Sequence, residues 1–240
     1  MDVALMATCL GDVMRPDAAV ATVRLLRRLG HVVHFPEKQT CCGQPFYNSG
    51  FLAGACDLAR HTIEVFAGER LVVVPSGSCA AMVKIEFPHL FHDDAAWHER
   101  SIDLAARTFE LSDFLVNRLK VTDVGASFTG RVAYHYACHL RGLALKDEAE
   151  TLIRAVRGVD YVPLEQQDQC CGFGGSFAVR YPEISGAMVG DKVGCIKASG
   201  ADVLVSTDTG CLMNIGGALH RQRQLTRIMH LAELLDCRVG

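Results

Sequence analysis

Residues 41–50 read CCGQPFYNSG, and the vicinal pair that opens them, Cys41-Cys42-Gly43, decides the fold. The triplet returns at Cys170-Cys171-Gly172, inside CCGFGGSFAVR. A single cysteine, Cys9 or Cys138, stands before each pair with 31 residues between. Another, Cys79 or Cys211, follows with 36 and 39 residues between. Eight of the eleven cysteines therefore form a duplicated pattern, and a repeat on this scale implies two similar structural units.

Working outward from each cysteine, a short apolar run precedes it. Residues 3–7 run apolar into Cys9, 31–35 lead towards Cys41, and 71–74 lead to Cys79. Between them the 17–29 segment has helical spacing, with Pro16 at its start and Gly30 just past its end. A second helix is expected over about 49–66, and a third after Cys79. The second half repeats the scheme. Strands are expected at 131–136, 160–162 and 202–205, and helices over 138–156 and 182–198, with a closing helix at 230–235. In the first half, residues 109–115 also read as helix and 87–106 as irregular. Strands alternating with helices imply α/β architecture. The expectation is two pseudo-repeated Rossmann-like three-layer lobes with mainly parallel sheets, related by a pseudo-two-fold. The lobes are 1–124 and 125–240, joined through a linker at 121–130 where Gly125, Ser127 and Gly130 cluster.

The fold explains how distant cysteines can meet. In an open parallel sheet, ligands bind beyond the carboxyl ends of the strands. Right-handed crossovers bring those ends to one edge. Cys9, Cys41, Cys42 and Cys79 should converge there, and so should Cys138, Cys170, Cys171 and Cys211. Adjacent side chains on a strand point to opposite faces, so a vicinal pair can share one site only on a turn. Gly43 and Gly172 supply the turn, because glycine accepts positive φ. Helix starts after the pairs, and at Ser78-Cys79 and Gly210-Cys211, favour thiolate or an anionic centre. Four thiolates per half suit an iron–sulfur cluster or tetrahedral zinc, and a thiol–disulfide role stays open beside them.

Composition narrows the classes. Hydrophobic residues are 50% and charged residues 21%, as in a globular chain. A net charge of -3 gives no reason to expect nucleic acid. The start, MDVALMATC, lacks a basic segment and a secretory core, and no run is long enough for a membrane span. A cytoplasmic protein is expected, where thiols serve metals or catalysis more often than disulfides.

With these residues in view, ATCLGDVMRP (7–16), CCGQPFYNSG (41–50), VVVPSGSCAAMV (72–83), CCGFGGSFAVRYPEIS (170–185) and STDTGCLMNI (206–215) carry a family likeness. The chain resembles the cysteine-rich (CCG) domain of iron–sulfur oxidoreductase subunits, shared with the CCG component of heterodisulfide reductase and the glycolate oxidase iron–sulfur subunit. Within that family it is most similar to the lactate-utilisation A branch. The resemblance implies an electron-transfer oxidoreductase subunit of a cytoplasmic system oxidising L-lactate to pyruvate, with glycolate or another 2-hydroxy acid as the alternative. It also implies a ferredoxin-type iron–sulfur protein and a third small subunit as partners. Up to one [4Fe–4S] cluster per lobe is implied, held by the two cysteine quartets, with zinc in a structural subunit as the alternative. In the heterodisulfide reductase component the last cysteine begins a C-x-x-C pair; Met82 and Asn214 stand at the matching positions here. That departure weighs against a noncubane arrangement. No catalytic residue is assigned.

Other features have plainer readings. Cys56, Cys195 and Cys237 lie outside the repeat and read as small buried hydrophobes. His135 and His139 flank Cys138 and could tune a centre by hydrogen bonds to sulfur, but an isolated histidine more often serves structure, and the first half has Met6 and Leu10 there. The stretch from His89 to His98 reads as a solvated loop, and Arg24, Arg27 and Arg28 as a solvated helix face. Gly172-Phe173-Gly174-Gly175 fits turn geometry better than a phosphate loop.

Overall fold

The computed structural model describes residues 1–238. Two four-stranded sheets, all parallel, carry the architecture, and helices flank them. In the first, β1 (Asp2–Leu5) lies between β2 (Val32–His34) and β3 (Val72–Val74), with β4 (Thr108–Glu110) beyond β3. In the second, β5 (Ser127–His135) lies between β6 (Arg157–Tyr161) and β7 (Val203–Ser206), with β8 (Arg227–His230) beyond β7. The two orders are the same, and so is the central register. Leu5 pairs with Val73 and Tyr134 with Val205. In each half the first partner stands four residues before a cysteine and the second six before another. The duplication seen in the cysteines is a duplication of strand register.

Side-chain alternation covers both faces of the first sheet. Val72 and Val74 face a cluster with Met6, Ile63, Phe66, Phe87 and Phe91. Val3 and Val73 face the other way, into a core that also holds Leu111, Phe114, Tyr134, Leu204, Leu231 and Leu235. That second core is common to both halves. The helix Pro16–Arg28 packs across it on the helix Leu231–Asp236.

Several sequence expectations need correction. Each half has four strands where three were expected. Residues 109–115 are the end of β4 followed by the short helix Leu111–Asp113, and 230–235 are likewise the end of β8 and then helix. Both extra strands run straight into helices, with Glu110 and His230 as the capping residues and no glycine or proline between. A further helix, Cys9–Met14, follows β1. The helix expected over 138–156 is a short helical turn, Cys138–Arg141, and a separate helix, Glu148–Arg154. The supposed loop around the histidines is two helices, Phe87–Leu90 and Ala95–Arg107. Pro88 sits in the first turn of one, and Asp94 caps the other by accepting from Trp97 N at 3.3 Å. The linker is shorter than expected, since Ser127 to Gly130 already belong to β5. The arginine run is only partly solvated: Arg28 reaches Asp236 at 2.7 Å and the Leu235 carbonyl at 2.8 Å, and Arg24 reaches Asp236 at 3.8 Å.

Glu110 gives a testable pH dependence. It is fully buried; Oε2 accepts from Ser112 N at 2.7 Å, from the Ser112 hydroxyl, and from Asp113 N at 3.3 Å, while Oε1 has no partner. Burial raises its pKa to about 7, outweighing those hydrogen bonds. The folded state therefore holds a proton that the unfolded state gives up near 4.5. Its contribution to stability is full below that pH and is lost as pH rises through about 7, an effect of about 3 kcal/mol. Urea unfolding of Glu110→Gln should lose correspondingly less stability than wild type between pH 5 and pH 8. Equal losses would place the proton elsewhere.

Candidate metal centre

The strand order reverses between β1 and β3, and between β5 and β7, and these are the switch points where a sheet of this kind binds ligands. Cys9 follows β1 and Cys79 follows β3; Cys138 follows β5 and Cys211 follows β7. Both pairs, together with Cys41, Cys42, Cys170 and Cys171, line one cavity. All eight repeat cysteines thus meet at a common space between the halves. Ser76, Ser78, Asp208 and His139 line it as well.

The two turns do what the glycines were expected to allow. Gly43 and Gly172 have φ of 87° and 80°. Each turn folds the chain back so that the glycine N–H donates to the first sulfur of its pair, Gly43 N to Cys41 Sγ at 3.5 Å and Gly172 N to Cys170 Sγ at 3.4 Å. Cys42 and Cys171 are buried beneath them, and Cys42 Sγ lies 3.4 Å from Cys79 Sγ. Gly43 also caps a helix, Gln44–Asn48. The second half differs: its next helix, Phe177–Arg180, begins five residues after Gly172. Cys79 and Cys211 each sit in the first turn of a helix, as expected. Thr8, just before Cys9, holds φ of 63°, a strained conformation for a β-branched residue; its counterpart Ala137 is relaxed at -71°.

The sulfurs are electrostatically coupled. In each half one thiol is held far below the ordinary range by hydrogen bonds from its neighbours: Cys41 by Cys42 and Cys9, Cys170 by Cys138 and Cys171. The donors are pushed up in turn, Cys9 and Cys42 chiefly by Cys41, Cys138 and Cys171 chiefly by Cys170. In each half, negative charge on Cys41 or Cys170 is thus stabilised at the expense of the neighbouring thiols. Ionising all four requires positive charge from outside, which a metal supplies while protons leave. All eleven cysteines are free thiols. The donor set fits an iron–sulfur cluster or another thiophilic metal.

The positions of the missing fifth thiolates have other work. Asn214 Nδ2 donates to the Cys171 carbonyl at 2.8 Å and so braces the turn, and Met82 is buried in the first-half core. Cys56, Cys195 and Cys237 lie away from the cavity and are half-buried, less enclosed than expected. The histidines of the 87–98 segment pair locally, His89 with Glu86 at 3.6 Å and His92 with Asp93 at 2.9 Å.

Sequence reading missed Asp208. Its Oδ1 accepts from Gly210 N at 3.1 Å and Cys211 N at 3.4 Å, and its Oδ2 accepts from Ser76 Oγ at 3.1 Å and Ser78 N at 3.0 Å. One buried carboxylate caps the Cys211 helix and clasps the start of the Cys79 helix. Its place three residues before Cys211, at an N-cap, was a usable signal.

Comparison with known sequences agrees with the duplication. A family model described as "Cysteine-rich domain" (CCG) matches twice, over residues 3–84 and 132–216. Lactate utilization protein A of Bacillus licheniformis is 48% identical over 239 residues, spanning 99% of this chain and 100% of that protein. The protein of the same name from Geobacillus kaustophilus is 50% identical, with the same coverage. Among solved structures, an aspartate racemase homologue from Pyrococcus horikoshii aligns over 98% of this chain and 95% of its own, at 11% identity and a TM-score of 0.34. With the motif present in both halves and near-half identity along the whole length, the chain belongs to the cysteine-rich CCG domain family, in its lactate utilization protein A group.

Proposed function

We propose that the chain is an iron–sulfur electron-transfer subunit of a cytoplasmic system that oxidises L-lactate to pyruvate. The observation that carries the reading is the meeting of eight repeat thiols in one cavity between the halves. Residues 1–124 contribute Cys9, Cys41, Cys42 and Cys79; residues 125–240 contribute Cys138, Cys170, Cys171 and Cys211. Each quartet has the donors for one [4Fe–4S] cluster, which when bound supplies one-electron chemistry. Burial of Cys42, Cys171 and Cys211 keeps water from those sulfurs. The glycine N–H groups direct hydrogen bonds at Cys41 and Cys170 and stabilise negative sulfur there. Lactate enters through the names of the relatives. A ferredoxin-type iron–sulfur protein and a third small subunit are the proposed partners for electron exchange and substrate handling. Among the described residues no helix is long and apolar enough to cross a membrane.

The test is anaerobic reconstitution with iron and sulfide, followed by metal analysis and electron paramagnetic resonance. Cys41→Ser and Cys170→Ser should each lose roughly half of the bound iron, because each removes a ligand from one quartet. Cys56→Ala, Cys195→Ala and Cys237→Ala should leave iron content unchanged. Stoichiometric zinc and no iron after reconstitution would sink the proposal.

A further inference from the structure

The two quartets share a frame but not their surroundings. His135 stands three residues before Cys138, where the first half has Met6 before Cys9. His139 stands one residue after Cys138, where the first half has Leu10. Lys192 follows Ser185 by seven residues, and the Ser185 carbonyl packs against Gly172. In the first half the Ala55 carbonyl packs against Gly43, and seven residues on is Thr62. Three nitrogen-bearing side chains of the second half thus replace a thioether, an isobutyl group and a hydroxyl.

Two of the three, His135 and His139, stand beside sulfurs of the second quartet, and the third is held in the loop that leads into it. His139 Nδ1 is 3.6 Å from Cys138 Sγ, and its Nε2 is 3.2 Å from Gln44 Nε2 of the first half. The same amide nitrogen donates to the Ser78 carbonyl at 3.1 Å, which fixes its identity as nitrogen. An amide nitrogen only donates, so Nε2 accepts and Nδ1 carries the hydrogen that points at Cys138. His135 is fully buried and neither ring nitrogen has a hydrogen-bond partner; the Gln167 carbonyl is near, without hydrogen-bond geometry. A ring nitrogen of His135 lies within 4.8 Å of both Cys171 Sγ and Cys211 Sγ. An imidazole carries at least one N–H to give. A buried donor left without an acceptor is costly; the Gln167 carbonyl already accepts from Tyr136 N at 3.1 Å, which leaves negatively charged sulfur as the better acceptor in reach. Lys192 is fully buried as well, with Nζ on the Gln166 carbonyl and 3.4 Å from the Gln167 carbonyl, in the loop that leads to Cys170. By contrast Thr62 closes on its own helix, its hydroxyl 2.9 Å from the Leu58 carbonyl.

We propose that the second-half centre is the electron-holding end of the chain, and that His135, with His139 and Lys192, makes it so. This rests on the iron–sulfur reading above. Hydrogen bonds to cluster-bound sulfur and a nearby buried cation stabilise the added electron and raise the reduction potential. With a cluster bound in each quartet, a single electron shared between them would reside on the one held by Cys138, Cys170, Cys171 and Cys211, with no atom transferred. Asp208 acts the other way, but its carboxylate lies between the halves and accepts two hydrogen bonds from each.

The experiment is a potentiometric titration of the iron-loaded full chain, read by electron paramagnetic resonance. Wild type should show two midpoints, and the higher one should be missing from Cys170→Ser. His135→Met installs the first-half residue. It should lower the reduced-to-oxidised ratio of that centre about tenfold at fixed potential, which is 59 mV for one electron, while the other midpoint stays. His139→Leu should shift the same centre in the same direction, and Met6→His should raise the lower one. If His135→Met takes up too little iron, His135→Gln, which keeps one N–H donor, should show a smaller downward shift. Full iron content with both midpoints unmoved overturns the proposal, and so does loss of the higher midpoint in Cys41→Ser. A chain that takes up no iron overturns the underlying reading instead.

Discussion

Asp208→Ala is expected to lower the stability of the protein by about 3–5 kcal/mol and to weaken iron binding at both proposed sites together. The carboxylate is 4% exposed and accepts four hydrogen bonds, two from each half. Alanine leaves the buried N–H groups of Gly210 and Cys211, and the half-buried N–H of Ser78, without that acceptor, and an unsatisfied buried donor costs about 1–3 kcal/mol. Ser76 suffers less, because its hydroxyl also lies 3.2 Å from Ser78 Oγ and caps Cys79 N at 3.3 Å. The loss of an N-cap alone is worth about 1 kcal/mol, so the cross-half clasp is what makes the effect large. Ser76→Ala, which occupies the equivalent cap in the first half, should cost only about 1 kcal/mol. Denaturant unfolding measures both, and iron content measures the sites. The clasp also predicts which sites respond. A capping role confined to the Cys211 helix would disturb the second quartet and spare the first. Equal costs for the two variants, or a first quartet untouched by Asp208→Ala, would reject the clasp.

Much of this architecture was legible in the chain because the cysteines mark the same register twice. The runs before Cys9, Cys79, Cys138 and Cys211 are apolar and short, as strands buried on both faces must be. The fourth strand of each half left no such mark. Thr108–Glu110 and Arg227–His230 are three and four residues long and lead directly into helices, so their pattern merges with the helical one. Pro88 and Asp94 suit a loop as readily as a helix start, and only tertiary packing of Phe91 on Trp97, with ring centroids 5.8 Å apart, distinguishes the two. The thiol quartets followed from strand order, but the partnerships across the halves did not. Arg15 meets Glu233 at 3.1 Å, and Gln44 meets His139, across sequence separations of 218 and 95 residues. Spacing carries no information about such pairs, since they depend on how two folded units dock. His135 is a different case, since the cysteines beside it lie in its own half and the sequence shows only that it flanks Cys138. Its neighbours in sequence suggest a strand residue, and only the folded sheet brings its ring beside Cys171 and Cys211.

Gly172→Ala should cost more than Gly43→Ala, although both residues hold the left-handed conformation that the vicinal pair requires. At φ of 87° and 80° an alanine pays about 1–2 kcal/mol at either position. The difference lies in what a β-carbon would touch. At Gly43 it would stand 3.3 Å from the Ala55 carbonyl oxygen and from Leu58 Cβ, a tight fit that a shift of a few tenths of an ångström relieves. At Gly172 it would stand 2.9 Å from the Ser185 carbonyl oxygen and 3.0 Å from Met188 Cβ. Both belong to the helix Pro182–Ser199, and neither atom is the flexible end of a side chain that could move aside. The helix must retreat as a body, carrying the buried Lys192 with it. The expected loss is about 3–4 kcal/mol for Gly172→Ala against about 1–2 for Gly43→Ala, the excess being the cost of overpacking. To the extent that the turn yields instead of the helix, the Gly172 N–H moves off Cys170 Sγ, now 3.4 Å away, so the second quartet should lose metal while the first keeps it. Urea unfolding of both variants, with iron counted per chain, separates the two contributions. If Gly43→Ala costs as much, backbone conformation alone sets the penalty and the helix contact adds nothing.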